Sequence, residues 1–231
     1  GTDENGIRST IGFDICKRET NKSAWNAFLK SLKERGLYGL MMITADRREW
    51  ITEAISKQFP GVPWQCCQSD FSENIVDKSP QWYAKGIKTD LRALFDCDDI
   101  RQAHSKYKAI VDRYAGQAPD AMAYLQDGFE DSMTVMALPD GIRKFFRTSN
   151  HIKPLIKELR MRCNVVKVFP DEKCIIRLAG SVLVDYNEAT RDSKGLFNEK
   201  NYKAMFDTAV SEKLSDIAGK QKRGLTAGKK K

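Results

Sequence analysis

Asp46 is the residue in this sequence whose type and position best suit it to do chemistry. It closes a short continuous apolar run, Leu40–Thr44, typical of a strand buried on both faces of a sheet. Open α/β sheets bind ligands and metals at the carboxyl ends of their strands, so a carboxylate here could hold a divalent cation. The alternative is an N-cap for the helix that follows, a role worth about 1 kcal/mol. For Asp46 taken alone, the capping interpretation is favoured.

Cys67 and Asp70 lie at and after the end of the next brief strand, Val62–Cys67. Asp70 could lend a further carboxylate, although a polar cap before Ser72–Asn74 is favoured because Asp often starts helices. A single buried thiol at Cys67 is explained by packing at least as well as by chemistry.

The elements around Asp46 predict an α/β arrangement. Residues Ile7–Glu19 contain β-forming residues that alternate in places, which predicts a strand or hairpin arm. Apolar residues then recur at helical spacing from an N-cap near Asn21 or Ser23 to a stop at Gly36, and a second helix is expected over Arg48–Phe59. The order strand, helix, strand, helix, strand predicts a sheet with parallel neighbours.

After residue 71 the strand signal disappears and Pro139 interrupts a series of helical patterns. Helices are predicted over Trp82–Phe95, Ile100–Tyr114, Ala121–Leu125, Ile152–Arg162, Glu172–Tyr186 and Leu196–Leu214. The Gly/Lys-rich segment 220–231 is expected to be disordered. The predicted organisation is the first part of a core over 1–70, a helical insertion over 71–137, the closing part of the core over 138–192, and a helical extension with a basic tail over 193–231.

Composition narrows the possible partners. The net charge of +8 and pI near 9.1 favour a polyanion, because Lys and Arg gain affinity by displacing counterions from phosphates. The six cysteines show no metal-binding or disulfide spacing and are interpreted as free thiols in a reducing cytoplasm. No apolar run reaches the roughly 20 residues of a membrane helix, so no membrane partner is expected.

Several motifs follow one another in a consistent order: Trp25–Leu37, Ile43–Asp46, Phe59–Pro60, Trp64–Cys67, Arg147–Ile152 and Val165–Pro170. Together they closely resemble the catalytic core of mutator-type insertion-element transposases, whose pattern includes W-x-x-F-L-x-x-L-x-x-R-G-L, I-T-S-D, F-P, W-Q-R-C-x-x-H and R-T-T-N-x-I-E. The resemblance covers Gly1–Asp192. Several motifs in order are far more specific than any one of them.

The resemblance implies an α/β, ribonuclease-H-like mixed sheet with a helical insertion and a helical C-terminal part. It also implies two Asp and one Glu that bind Mg²⁺ or Mn²⁺ and promote in-line attack on a phosphodiester. Asp46 matches the second acid and is the expected catalytic and metal-binding residue. In the family the first acid belongs to a strand before the segment matching Thr2–Gly12, so we expect it to be absent from this chain.

The third acid position departs from the family pattern. The Glu expected directly after Ile152 is Lys153, which places an ammonium where a cation should bind. Glu158 is the nearest substitute, but five residues along a helix rotate a side chain by about 140°. We therefore expect Glu158 to pair with Arg162 at i+4 instead.

Two further departures lie near the second strand. Asp70 stands where the family motif has histidine, and Cys66 replaces its arginine. Metal binding by this chain is consequently in doubt, and Asp46 is predicted to be the remaining member of a metal site.

Basic residues around the Arg147–Ile152 motif are candidates for DNA contacts. They alternate with Phe145 and Phe146 and could hold phosphates near the site. A solvated helix face with both Phe side chains in the core explains the pattern equally well. The candidate DNA-binding residues are Arg143, Lys144, Arg147, Asn150, Arg160, Arg162 and Lys167.

Other aromatic and imidazole side chains carry less information. Trp82 and Tyr83 in the insertion could stack on unpaired bases, although core packing is favoured for both. His104 is expected on a solvent-facing helix, and His151 fills a variable position of its motif. No nucleophile accompanies either histidine in a triad arrangement.

The leading hypothesis is a transposase of an insertion element that binds DNA, truncated and degenerate in catalysis, in the bacterial cytoplasm near the nucleoid. Its partners would be element ends, target DNA, and itself or a full-length transposase as oligomer. The alternative is a non-catalytic DNA-binding or transposase-interacting inhibitor or assembly protein. A weaker third hypothesis is a basic helical protein whose resemblance is accidental.

Overall fold

The two strands predicted beside Asp46 and Cys67 lie next to each other. In the computed structural model, which describes residues 1–16, 21–166 and 168–228, β1 (Ile43–Ala45) pairs in parallel with β2 (Trp64–Cys66). Ile43 lies opposite Trp64 and Ala45 opposite Cys66. The connecting helix α2 (Glu49–Gln58) makes the crossover that parallel strands require. The predicted strand, helix, strand order is therefore confirmed for these elements.

Helix α1 (Lys22–Glu34) precedes this unit, and local signals in the sequence define both of its ends. The side chain of Asn21 accepts hydrogen bonds from the main-chain N–H groups of Ser23 and Ala24, which caps the helix. Gly36 follows the helix with a φ of 94°, a conformation that favours glycine. Both predicted ends of this helix are confirmed.

Helices make up most of the remaining described residues. Their bounds are α3 Gln68–Asp77, α4 Gln81–Phe95, α5 Ile100–Tyr114, α6 Pro119–Ser132, α7 Asp140–Phe146, α8 Lys153–Val166, α9 Glu172–Arg191, α10 Glu199–Ala204 and α11 Thr208–Gly228. Short 3₁₀ turns occupy Thr134–Ala137 and Asn150–Ile152. Among the described residues, no helix is long and apolar enough to cross a membrane.

Buried side chains form three clusters. The largest joins α1, α2 and β2 to the helices α3 to α6, with Phe71, Ile87 and Leu125 among its fully buried members. A second cluster links the 3₁₀ turn after α6 and α7 to α10 and α11 through Ile142 and Leu214. A third, small cluster lies between α8 and α9. The residue boundaries of the four predicted regions stay a prediction.

The predicted N-terminal strand is not formed by the described residues 7–16. Thr2 and Arg8 make only an isolated antiparallel bridge, and Lys17–Thr20 lie outside the described residues. Around this bridge the segment pairs with residues 1–3 as a short hairpin arm, since Asp3 N–H donates to the Ile7 carbonyl and Ser9 N–H to the Gly1 carbonyl, both at 3.0 Å. Helices supply further partners. Thr10 N–H donates to Asn187 Oδ1 at 2.7 Å, and the Arg8 guanidinium donates to the Phe145 carbonyl at 2.9 Å.

The C-terminal predictions were also partly wrong. The expected Leu196–Leu214 helix is divided into α10 and α11, and Asp207 at the division accepts a hydrogen bond from Ala209 N–H at 2.9 Å. The expected disordered tail is helical to Gly228, while Lys229–Lys231 lie outside the described residues. Packing of α11 against the core stabilises a segment whose composition alone favours disorder.

The ribonuclease-H-like mixed sheet is not confirmed, because the sheet of the described residues has two strands, which pair in parallel.

Gln65 ties this small sheet to the helical part. Its Nε2 donates to the Ser132 carbonyl at 2.7 Å, and its Oε1 accepts from Val135 N–H at 2.6 Å. Gln65 is fully buried, so these are interior hydrogen bonds without solvent as an alternative.

Replacing Gln65 by Leu tests this connection. The change leaves the Val135 N–H unpaired, whereas the Ser132 carbonyl keeps a second donor, Gln68 Nε2 at 2.8 Å. One orphaned buried group costs about 1–3 kcal/mol. We expect the free energy of unfolding, measured by urea denaturation, to fall by about 1–3 kcal/mol. Gln102→Leu on the exposed side of α5 is the matched control and should stay within about 0.5 kcal/mol of wild type. Equal effects of the two substitutions would contradict the interpretation.

Candidate functional site

Asp46, Cys67 and Asp70 converge at the carboxyl ends of the two strands. Asp46 follows β1, Cys67 follows β2, and Asp70 lies in the first turn of α3. One potential ligand atom from each of the three side chains lies within 4.8 Å of the other two. The parallel pairing of β1 and β2 produces this convergence, because both strands end at the same edge of the sheet.

Neither Asp46 nor Asp70 is a helix cap, so both favoured capping interpretations were wrong. The N-cap of α2 is Arg48, and that of α3 is Cys67. Asp70 Oδ2 instead accepts a hydrogen bond from Ser149 Oγ at 3.4 Å. Both carboxylates are therefore held by tertiary contacts, which their positions before helices did not indicate.

Lys153 supplies the positive charge at this site. Its ammonium Nζ lies 2.7 Å from Asp70 Oδ1 and 3.8 Å from the Glu73 carboxylate. Lys153 is the first residue of α8, so the chain enters that helix directly beside the strand ends. The structure thus brings Lys153 together with Asp46 and Asp70, far apart in sequence.

Main-chain contacts of the segment 146–149 place α8 at the strand ends. Thr44 Oγ1 donates to the Phe146 carbonyl at 2.7 Å, and Gln68 N–H donates to the Arg147 carbonyl at 3.0 Å. Ser149 N–H donates to Cys67 Sγ at 3.3 Å. Cys67 therefore has a structural role, since its buried thiol anchors the turn that leads into α8.

The two carboxyl groups have opposite pKa shifts. Burial, together with the hydrogen bond and negative charge of Asp70, raises the pKa of Asp46 to about 6. Burial also acts to raise the pKa of Asp70, but hydrogen bonds from Cys67 and Lys153 outweigh it and hold that pKa below the ordinary value. Burial raises the pKa of the Cys67 thiol, which keeps it protonated near neutral pH. Asp46 is accordingly the carboxyl group of this pair that takes up a proton first.

The donor set does not fit a hard divalent cation well. Mg²⁺ and Mn²⁺ prefer oxygen ligands, and the described residues offer two carboxylates beside a protonated thiol. The Lys153 ammonium already occupies the Asp70 oxygen at 2.7 Å. A metal ion approaching Asp70 would meet this positive charge at contact distance.

Two of the predicted DNA-binding arginines have intramolecular partners. Arg143 donates to the carbonyls of Leu138 at 2.7 Å and Met136 at 3.0 Å. Arg147 donates to Asp96 Oδ1 at 2.9 Å and to the Phe95 carbonyl at 3.2 Å. Both side chains tie α7 to neighbouring helices rather than projecting into solvent.

The other candidates for DNA binding differ in their surroundings. Lys144, Asn150 and Arg160 are exposed, and the Lys144 ammonium lies 5.0 Å from the centre of the Phe145 ring. Arg162 forms the predicted pair with Glu158 at 3.0 Å, which confirms that Glu158 is engaged along its own helix. Lys167 lies outside the described residues.

Glu73 and Ser149 also contact the site residues, although the sequence pattern did not single them out. Glu73 follows Asp70 by three residues on α3, a spacing that puts both carboxylates on one helix face and could have indicated a shared cation.

The expectation that Trp82 packs in the core was wrong, since this residue is 92% exposed. Tyr83 does contact another ring, that of Tyr114, at 6.3 Å.

The raised pKa of Asp46 predicts a pH dependence of stability. A folded-state pKa of about 6 means that the folded protein binds this proton more tightly than the unfolded chain, so the stabilisation is lost as pH rises through about 6. Between about pH 5 and about pH 7, wild type should lose about 1–2 kcal/mol that Asp46→Asn does not lose, after allowing for solvent screening at a half-buried group. Urea denaturation at both pH values measures the difference.

The control is Asp112→Asn, on the exposed face of α5. This variant should retain the pH dependence of wild type. If Asp46→Asn also retains it, the carboxyl group of Asp46 is not the source. Asp70 affects stability only at lower pH. Its pKa is depressed in the folded protein, so the stability that its carboxylate contributes is lost as the pH falls through that folded-state pKa.

Known proteins match this chain over most of its length. The transposase for insertion sequence element IS256 in transposon Tn4001 of Staphylococcus aureus is 32% identical over 190 residues, covering 81% of this chain and 48% of that protein. The transposase for ISRM5 of Rhizobium meliloti is 28% identical over 198 residues, covering 86% and 50%. The transposase for IS1081 of Mycobacterium tuberculosis is 28% identical over 188 residues, covering 81% and 45%. The chain thus spans about half the length of these relatives.

The family comparison covers the strands, the carboxylate site and the helices up to the end of α9. The family described as "Transposase, Mutator family" matches residues 1–193. This match excludes the hypothesis of an accidental resemblance, which the absence of a mixed sheet among the described residues would otherwise favour. The chain belongs to the mutator family of transposases.

Proposed function

We propose that this chain is part of the catalytic core of an insertion-element transposase, and that it binds DNA without catalysing metal-dependent strand transfer. The observation that carries the proposal is the Lys153 ammonium, 2.7 Å from Asp70 and adjacent to Asp46. Family membership supports action on insertion-element DNA. Such DNA would place the protein at the nucleoid of a bacterial cytoplasm.

The proposed fold of the complete core is ribonuclease-H-like, and the parallel pair β1 and β2 would be one part of its sheet. Two features of the described residues support this. The first is the cluster of carboxylates at the strand ends. The second is that every other residue of a parallel strand bonds to its neighbour, so the main-chain groups of Thr44 point to the edge of β1 away from β2. A further strand paired there would place its own carboxyl end beside Asp46.

Loss of catalysis follows from the charges at the site. Strand transfer in this chemistry depends on divalent ions that stabilise the attacking and leaving oxygens. Lys153 compensates the charge of Asp70 without a metal, and Glu73 adds a second contact to the same ammonium at 3.8 Å. The Asp70–Lys153 pair therefore stabilises the site in a form that does not require Mg²⁺ or Mn²⁺.

Reversing the charge at residue 153 is the sharpest test of this proposal. Lys153→Glu removes the ammonium and adds a carboxylate beside Asp46 and Asp70, which creates an oxygen-rich set of the type that Mn²⁺ prefers. We expect the variant to be less stable without metal and to recover with Mn²⁺, gaining about 2.7 kcal/mol at a concentration 100 times Kd. Electron paramagnetic resonance of free Mn²⁺ provides a direct binding isotherm.

Lys157→Glu is the matched control, because it makes the same charge change at an exposed position one turn further along α8. It should bind Mn²⁺ no better than wild type. Equal binding by the two variants would show that overall charge, not the site, attracts the ion. Binding by wild type as tight as that of Lys153→Glu would show that Lys153 does not exclude the metal.

DNA binding should depend on the exposed basic residues rather than on Arg143 and Arg147, which have intramolecular partners. We expect wild type to bind duplex DNA with an affinity that falls steeply with salt, and to produce no cleavage with Mg²⁺ or Mn²⁺. Removing Lys144 and Arg160 together should reduce the slope of log K against log salt by about 2, since each phosphate contact contributes about 0.9. Fluorescence anisotropy at several salt concentrations measures this slope.

The charge-matched control is Lys88→Ala combined with Lys108→Ala, at exposed positions of α4 and α5. An equal decrease of the salt slope in the control would show that DNA contacts the helical insertion or that net charge alone determines binding. Cleavage by wild type that disappears in Asp46→Ala would overturn the proposed inactivity. If DNA does not bind at all, a non-catalytic inhibitor or assembly protein becomes the better function, and co-purification with a full-length transposase tests it.

A further inference from the structure

The outer edge of β2 is closed by a side chain instead of a strand. Trp64 N–H donates to Gln221 Oε1 at 3.0 Å, and Gln221 Nε2 donates to the Trp64 carbonyl at 2.7 Å. Gln221 belongs to α11, and 157 residues separate it from Trp64. The single amide of Gln221 thus satisfies both main-chain groups of one strand residue.

The geometry of the parallel ladder explains why Trp64 needs such a partner. Cys67 N–H donates to the Ala45 carbonyl at 2.9 Å, and the Pro63 carbonyl accepts from Ile43 N–H at 3.1 Å. The main-chain groups of every second residue from Pro63 to Cys67 therefore point toward β1. Trp64 lies between them and faces the opposite edge. Its residue is 5% exposed, so its main-chain groups require a protein partner.

Other contacts fasten α11 across this edge. Leu214 and Ala218 are buried against the core, and Gln221 Nε2 also lies 3.0 Å from Asp131 Oδ1. A cleft of about 830 Å³ remains beside the helix, and its lining includes charged side chains such as Glu130 and Lys213 as well as apolar ones such as Met133 and Ile217. Helix α11 is therefore attached at discrete points along a cleft rather than packed continuously.

We propose that α11 is a strap that masks the β2 edge, and that the released edge pairs with the β2 edge of a second copy of this chain. Helix α11 begins at Thr208, beyond the family match at 1–193, so this device goes beyond the function proposed above and does not rest on it. Unpaired strand edges readily pair with other chains, and masking them prevents that association.

A second copy fits the released edge because the exposed groups are self-complementary. One N–H and one C=O of Trp64 lose their partners when Gln221 leaves. Two antiparallel copies can exchange both hydrogen bonds between the same residue of each chain, in the pattern of a hydrogen-bonded antiparallel pair. Such an interface is two-fold symmetric, and the cleft side chains Met133 and Met136, once exposed by release of the strap, would add buried apolar area to it.

Residue-resolved hydrogen exchange on the full chain tests both parts of the proposal. In Gln221→Ala the Trp64 amide should exchange between about two- and tenfold faster than in wild type at low protein concentration, the effect of one net hydrogen bond. The Cys67 amide, which is bonded to β1, should be unchanged and reports on the integrity of the sheet. As protein concentration rises, the Trp64 amide of the variant should regain protection while light scattering shows dimers.

Lys220→Ala is the control on the exposed neighbouring position of α11 and should behave as wild type in both measurements. Unchanged exchange of Trp64 in Gln221→Ala would overturn the strap. Faster exchange that does not depend on concentration would overturn pairing with a second copy. If Gln221→Ala loses protection at Cys67 as well, it has unfolded, and Gln221→Asn, whose shorter amide cannot span both groups, is measured in its place against the same outcomes.

Discussion

The structure depends on satisfying the main chain of two parallel strands that are only three residues long. In two such strands, about half of the main-chain N–H and C=O groups point to the outer edges instead of to the other strand. Those that are buried need other hydrogen-bond partners. Two glutamines supply them. Gln65 joins β2 to the residues around Ser132 and Val135, and Gln221 closes the outer edge at Trp64. The helical insertion is thereby attached to the sheet through the buried amide of Gln65, and the C-terminal helix through the partly buried amide of Gln221.

The same parallel pairing creates the electrostatic problem at the candidate site. Because both strands end at one edge, Asp46 and Asp70 lie close together in a half-buried position, and burial together with the neighbouring carboxylate raises the pKa of Asp46 to about 6. An opposite charge must compensate at least one of them. In this chain the compensating charge is Lys153, which α8 places 2.7 Å from Asp70.

The resemblance implies histidine at the position of Asp70 and glutamate at that of Lys153. Seen along the sequence, these are two separate departures from the family pattern. In the structure they contact each other and carry opposite charges, so that each change compensates the other. The altered site is consequently a formed ion pair, and its chemistry differs from that of a carboxylate set built for divalent ions.

Sequence alone determined the elements whose signals are local and the motifs that are specific in order. The cap at Asn21, the stop at Gly36 and the apolar periodicity of the helices act within a few residues, and they predicted α1, α2 and the parallel pair. The ordered motifs identified the family that matches residues 1–193. Only the tertiary structure decided what Asp70, Lys153 and Gln221 do, because their partners are distant in sequence. A carboxylate before a helix or a glutamine in a basic helix has the same local signal whether it faces solvent or a buried strand edge.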